Sequence, residues 1–118
     1  MTKDYREITK SVSALLSGLR ATQPEVMKSF NALSTASLRD GALTEKTKEL
    51  IALAIGVAGH CDTCIGFHVR ALVRLGVTRA ELEEALGVCV YMGGGPSLMY
   101  AADALSAFGQ YSSEVVPA

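Results

Sequence analysis

The sequence is most informative first for what it lacks. No stretch alternates polar and apolar residues for long enough to make a half-buried strand, and no internal repeat or linker stands out. The longest apolar run, Leu50 to Gly59, falls far short of the roughly 20 residues that span a bilayer. Basic residues are spread without a cluster, 11 against 12 acidic ones for a net charge of -1, which argues against a nucleic-acid surface. The opening Met1-Thr2-Lys3-Asp4-Tyr5-Arg6-Glu7 is charged and has no apolar stretch of the secretory kind, so a cytoplasmic location is expected. Three cysteines cannot build the disulfide framework of a small secreted domain. In a reducing compartment, a Cys-x-x-Cys pair points instead to catalytic or metal chemistry.

What remains is one all-α domain over residues 1–118, a compact bundle of about six helices. Hydrophobic residues make up 49%, high for so short a chain, and this favours burial of apolar surface between copies in a homo-oligomer. Tyr5, Ile8, Val12, Leu15, Leu16 and Leu19 recur at helical spacing in a first helix. Pro24 suits the first position of a second, with Val26, Met27, Phe30 and Leu33 inward and Asp40-Gly41 supplying a left-handed close. Thr44 caps a third, which is apolar all round from Leu50 and should be buried on most sides. Gly59-His60 interrupts it, and Asp62 is expected to cap a fourth helix that Gly76 ends. Thr78 and Glu81 form a capping box for a fifth, with Leu82, Ala85, Leu86, Cys89 and Val90 inward. Gly93-Gly94-Gly95 then connects to a sixth, opened by Pro96 and closed by Gly109, with Leu98, Met99, Ala102, Leu105 and Phe108 inward.

The chemistry gathers in His60-Cys61-Asp62-Thr63-Cys64-Ile65-Gly66-Phe67-His68. On a helix, Cys61, Cys64 and His68 fall at i, i+3 and i+7 and share a face. The thiolate is the nucleophile, and a helix N-terminus or a nearby imidazolium lowers a thiol pKa from about 8.5 to roughly 3.5–7.5. His68, one turn beyond Cys64, is placed to take its proton, whereas the charge of Asp62 opposes the thiolate. If the third and fourth helices pack antiparallel across Gly59-His60, Glu49 comes level with His68 and orients the imidazole. Two thiols, a His and a Glu lead to a sulfenic acid at one Cys and then a disulfide with the other. Two blander uses compete. Cys61, Cys64, His68 and His60 could ligate zinc, although structural zinc sites usually pair such a half-site with a second one distant in sequence. The thiols could also be buried core residues, the reading given to Cys89.

Glu49 followed by Cys61-x-x-Cys64-x-x-x-His68 resembles the active-site signature of the alkylhydroperoxidase D-like branch of the carboxymuconolactone decarboxylase superfamily. Pro24-Glu25-Val26-Met27, Lys46 to Ala54, Gly87-Val88 and Met92 to Pro96 resemble that family too, so nearly the whole chain is covered. The resemblance implies a thiol-dependent peroxidase or disulfide oxidoreductase acting on hydroperoxides, assembled as a trimer or hexamer with no bound cofactor. It implies Cys64 as the attacking thiol, Cys61 as its resolving partner, Glu49 and His68 as a proton relay, and a dithiol electron donor such as a lipoylated protein. The family's best-known enzymes carry a His between the cysteines where this chain has Thr63; His60 precedes the pair instead, as a possible auxiliary group. A lactone decarboxylase-type enzyme and a non-catalytic redox-switch assembly protein are the two alternatives.

Overall fold

A computed structural model of the chain describes residues 3–115, and among them all regular structure is helical. Five helices follow in order: α1 (Tyr5–Thr22), α2 (Pro24–Leu38), α3 (Glu45–Ala58), α4 (Asp62–Arg74) and α5 (Arg79–Val115). The last breaks at Gly94, whose φ of 70° and ψ of -152° no helix accommodates, so it forms two arms where the sequence predicts two helices. No helix among the described residues is long and apolar enough to cross a membrane.

Local signals explain most boundaries. Asp4 caps α1 by accepting the Glu7 N–H, and Thr44 caps α3 by accepting that of Thr47. At the start of α5, the Glu81 N–H donates to Thr78 Oγ1 at 3.1 Å, and the Thr78 N–H donates to Glu81 Oε1 at 2.9 Å. This is the reciprocal capping box. A hydrogen bond from Lys46, with the Thr78 contact, holds the Glu81 carboxyl below its usual range, so its contribution is present at neutral pH and is lost as pH falls through that range. The end of α4 is a Schellman close: Gly76 has φ 78° and donates to the Val73 carbonyl, Val77 donates to that of Leu72, and Val77 and Leu72 are both buried.

The core lies where α3, α4 and α5 meet. Leu53 and Val57 pack with Ile65, Val69 and Leu72, with Leu82, Leu86 and Cys89 of the first arm of α5, and with Ala101, Ala104, Ala107 and Tyr111 of the second. Tyr5 of α1 closes one end. Gly66 lets α1 approach α4, because a Cβ there would sit 2.7 Å from Thr9 Cγ2 and 3.3 Å from the Tyr5 ring.

Five expectations are corrected. α2 buries none of its residues, since it touches only α1 and α3; Val26, Phe30 and Leu33 face outward. It also ends without a left-handed residue: Arg39 is extended, its carbonyl accepts from Lys48 Nζ at 2.7 Å, and Asp40 turns its carboxylate to the Glu45 N–H at 2.7 Å. α3 is buried on one side only, leaving Ile51 and Ile55 exposed. The second arm of α5 presents Ser97, Ala101, Ala104 and Ala107 inward, while Leu98, Met99 and Ala102 face out and Leu105 and Phe108 are partly buried; small side chains allow the closer approach. Finally, the helix runs past Gly109, because Gln110 and Tyr111 are tied to the α1 backbone. Gln110 Oε1 accepts the Tyr5 N–H and the Tyr111 hydroxyl donates to the Tyr5 carbonyl.

Two glycines should respond in opposite directions to alanine. Gly66→Ala, driven into buried Thr9 and Tyr5, is expected to destabilise by about 1–3 kcal/mol. Gly87→Ala, in an exposed helical position with open space, should stabilise by about 0.5–1 kcal/mol. Urea unfolding of the two variants checks both.

Candidate active site

The site is built on the turn between α3 and α4. His60 has φ 55°, a left-handed conformation uncommon outside glycine, and its N–H donates to the Val57 carbonyl at 3.1 Å. The Cys61 N–H donates to the Gly56 carbonyl at 2.9 Å, completing a second Schellman close. Cys61 then serves the next helix: its Sγ accepts the Cys64 N–H at 3.1 Å, and it, not Asp62, is the N-cap of α4. Asp62 becomes the first helical residue, where a carboxylate suits the positive end of the helix dipole. Cys61 thus takes part in both the close of α3 and the start of α4.

Cys61 and Cys64 are joined as a disulfide, with Cα atoms 5.2 Å apart. Their closeness to α3 depends on Gly56, where a Cβ would lie 3.0 Å from Cys64 Cβ. One turn beyond Cys64, His68 Nδ1 lies 2.6 Å from Glu49 Oε1. The Glu49 side chain is 6% exposed and that of His68 27%, so the carboxylate is sealed while the imidazole keeps an open edge. With the carboxylate ionised, Nδ1 carries the proton and donates it, which leaves Nε2 free as a base. Cys64 and His68, four apart on α4, lie on one helix face.

His60 is separate from this group. Its ring stacks on Tyr100 of α5, centroids 4.8 Å apart and planes 9° from parallel. Among the described residues, no three His, Cys, Asp or Glu side chains gather where a metal ion could be held. Cys89 is the free cysteine: it lies on α5, buried, with its Sγ 4.0 Å from the Ala54 carbonyl, and burial pushes its thiol up.

Sequence reasoning missed the residues around Asp62. Lys3 Nζ lies 2.9 Å from Asp62 Oδ1 and 2.8 Å from Asp103 Oδ2, and the buried Tyr5 hydroxyl donates to the same Asp62 oxygen at 2.8 Å. Hydrogen bonds to Asp103 and Asp62 hold the Lys3 ammonium well above its usual range. Burial, reinforced by Asp62, does the same to the Tyr5 phenol. Both shifts are upward, so the stabilisation that Lys3 and Tyr5 gain from these partners is fully present below the ordinary lysine and tyrosine ranges and is lost as pH rises beyond them. These partners stand 57 to 100 residues from their targets, beyond any local pattern.

An all-helical fold with a Cys-x-x-Cys disulfide at a helix start, and a carboxylate-bound imidazole one turn on, defines a helical dithiol protein. The sequence profile of the carboxymuconolactone decarboxylase family matches residues 24–107, and the chain belongs to that family. It is 55% identical to a carboxymuconolactone decarboxylase family protein from Legionella pneumophila, whose crystal structure superposes with a TM-score of 0.90 over 92% of this chain and 96% of that one. A Thermotoga maritima family member, whose description suggests a part in an antioxidative response, is 27% identical with a TM-score of 0.79, over 89% of this chain and 90% of its own. An uncharacterised protein of Cupriavidus necator is 38% identical over 108 residues, 92% of this chain and 96% of its own.

After reduction, the pair at the helix start should react with iodoacetamide at pH 7 on the order of tenfold faster than Cys89, whose thiol is buried and raised. Peptide mapping of a time course checks this. Equal rates at all three cysteines would count against an activated pair.

Proposed function

We propose that the chain is a thiol-dependent peroxidase and disulfide oxidoreductase. The observation that carries this reading is a Cys61–Cys64 disulfide one turn ahead of an imidazole bonded to a buried carboxylate. The description of the Thermotoga relative adds support for an antioxidative role. In the reduced protein, His68 Nε2 takes the Cys64 proton while Glu49 steadies Nδ1. The Cys64 thiolate attacks one oxygen of a hydroperoxide, the O–O bond breaks, and the leaving alkoxide is protonated to the alcohol. Cys64 is then a sulfenic acid. Cys61 attacks its sulfur, water leaves, and the disulfide forms. A dithiol donor such as a lipoylated protein returns both thiols by exchange and departs as its own disulfide.

The same reading includes self-assembly as a trimer or hexamer. Phe30 on α2 is 63% exposed and Ile55 on α3 is 67% exposed. Ile51, Ile55, Val88 and Met92 line an open apolar cleft of about 310 Å³, and Val26 and Leu33 extend the apolar surface on α2. Apolar surface on this scale marks association sites on soluble proteins. Sedimentation should therefore find a species several times the 12.4 kDa chain mass, and Ile55→Glu should shift it toward the single chain. A monomeric wild type would refute the assembly.

Hydroperoxide consumption with dihydrolipoamide tests the chemistry. Cys64→Ser should abolish turnover, His68→Gln should lower kcat by about a hundredfold or more, and Glu49→Gln should cause a smaller loss. Wild-type activity in Cys64→Ser would refute the choice of attacking thiol. No turnover by the wild type with any hydroperoxide would favour the redox-switch or lactone decarboxylase alternatives.

A further inference from the structure

A carboxylate stands between the two cysteines, and a carboxylate beside a thiol disfavours the thiolate that the chemistry needs. The structure sets a cation against it. We propose that Lys3 is a positioning residue that tunes the acidity of the Cys61–Cys64 dithiol by neutralising Asp62. The proposal rests on that pair being the reactive dithiol and on nothing about its oxidant.

Three observations carry it. First, Lys3 Nζ is shared between Asp62 and Asp103 at 2.9 and 2.8 Å, so removing the ammonium changes the local sum from one negative charge to two. Second, the ion pairs are partly shielded, with side-chain exposures of 28% for Lys3, 35% for Asp62 and 15% for Asp103, so solvent and salt screen them less than an open surface pair. Third, the position is held from several sides. Tyr5 donates to the same Asp62 oxygen, Gln110 Nε2 donates to the Lys3 carbonyl at 2.7 Å, and the Lys3 ammonium lies 4.9 Å from the centre of the Tyr100 ring, on which His60 stacks.

The other titratable groups around the pair do not substitute for Lys3. On α3, Glu49 is negative when ionised and is bonded to His68 of α4. On α5, Asp103 is a second carboxylate and Tyr100 a phenol. On α1, Tyr5 is a neutral donor, and on the α3–α4 turn His60 is taken up in its stack. Lys3 is thus the Lys or Arg side chain that contacts Asp62 among the described residues.

The test is the pH dependence of iodoacetamide alkylation of the reduced dithiol in a Cys89→Ser background, with thermal unfolding recorded for every variant. Lys3→Met should raise the apparent pKa of the more acidic thiol by about half a unit to one unit and slow alkylation at pH 7 about three- to tenfold. Lys3→Arg should restore the profile. Asp62→Asn alone should move the pKa in the opposite direction, and Lys3→Met added to it should have less than half its effect in the parent. An unchanged profile in Lys3→Met, or an equally large shift in the Asp62→Asn background, would overturn the proposal. If Lys3→Met does not fold, the Asp62→Asn shift still decides: no downward movement overturns it. Alkylation needs no hydroperoxide, so failure here is distinct from failure of the peroxidase reading.

Discussion

The hydrogen bond from the Cys61 N–H to the Gly56 carbonyl fixes the geometry on which the site depends. It makes Cys61 the last residue of one helix termination, and the accepting Cys61 Sγ makes the same residue the first of the next helix. Because Cys61 takes part in both the close of α3 and the cap of α4, the relative position of the two helices is closely set. Glu49, twelve residues earlier on α3, therefore meets His68, seven residues later on α4, with no further device needed to align them. A longer turn would leave both helices intact and separate the carboxylate from the imidazole.

Two small residues complete the arrangement. Gly56 removes the side chain that would hold α3 away from Cys64, and Gly66 removes the one that would hold α1 away from α4. The second matters to the site because α1 brings Tyr5, and Lys3, two residues before it on the chain, brings the cation, to the carboxylate between the cysteines. Electrostatics that look unfavourable in the local sequence are thus offset by residues more than fifty positions away.

What the sequence reveals of this follows from the range of each signal. The capping box at Thr78 and Glu81, the Thr44 cap, the break at Gly59-His60 and the close at Gly76 act over a few residues, and all can be read locally. Glu49 meeting His68 also follows from local facts, because it needs only a tight turn and a helical rise of 1.5 Å per residue. Choosing the cap of α4 is harder: Asp is a common N-cap, yet the thiol one position earlier takes that role, its backbone N–H already tied to the Gly56 carbonyl in the close of α3. The inward face of the second arm of α5 departs from its hydrophobic pattern for a related reason. Hydrophobicity favoured Leu98 and Met99, while close packing selected Ser97 and the alanines. The outward apolar face of α2 has helical periodicity like any core helix, and periodicity does not say what covers it.

The disulfide spans a single helical turn within a frame already fixed by the α3–α4 junction. A crosslink between residues three apart closes one of the shortest loops a chain can form, so it restricts the unfolded ensemble less than a long-range bridge. The core around Leu53, Ile65 and Leu86 is packed from side chains other than the two bonded sulfurs. Redox state and fold are therefore only weakly coupled. On the proposed function, the chain would pass between dithiol and disulfide with its core packing in place, and the energy of the exchange would stay in the sulfur chemistry without being drawn into refolding.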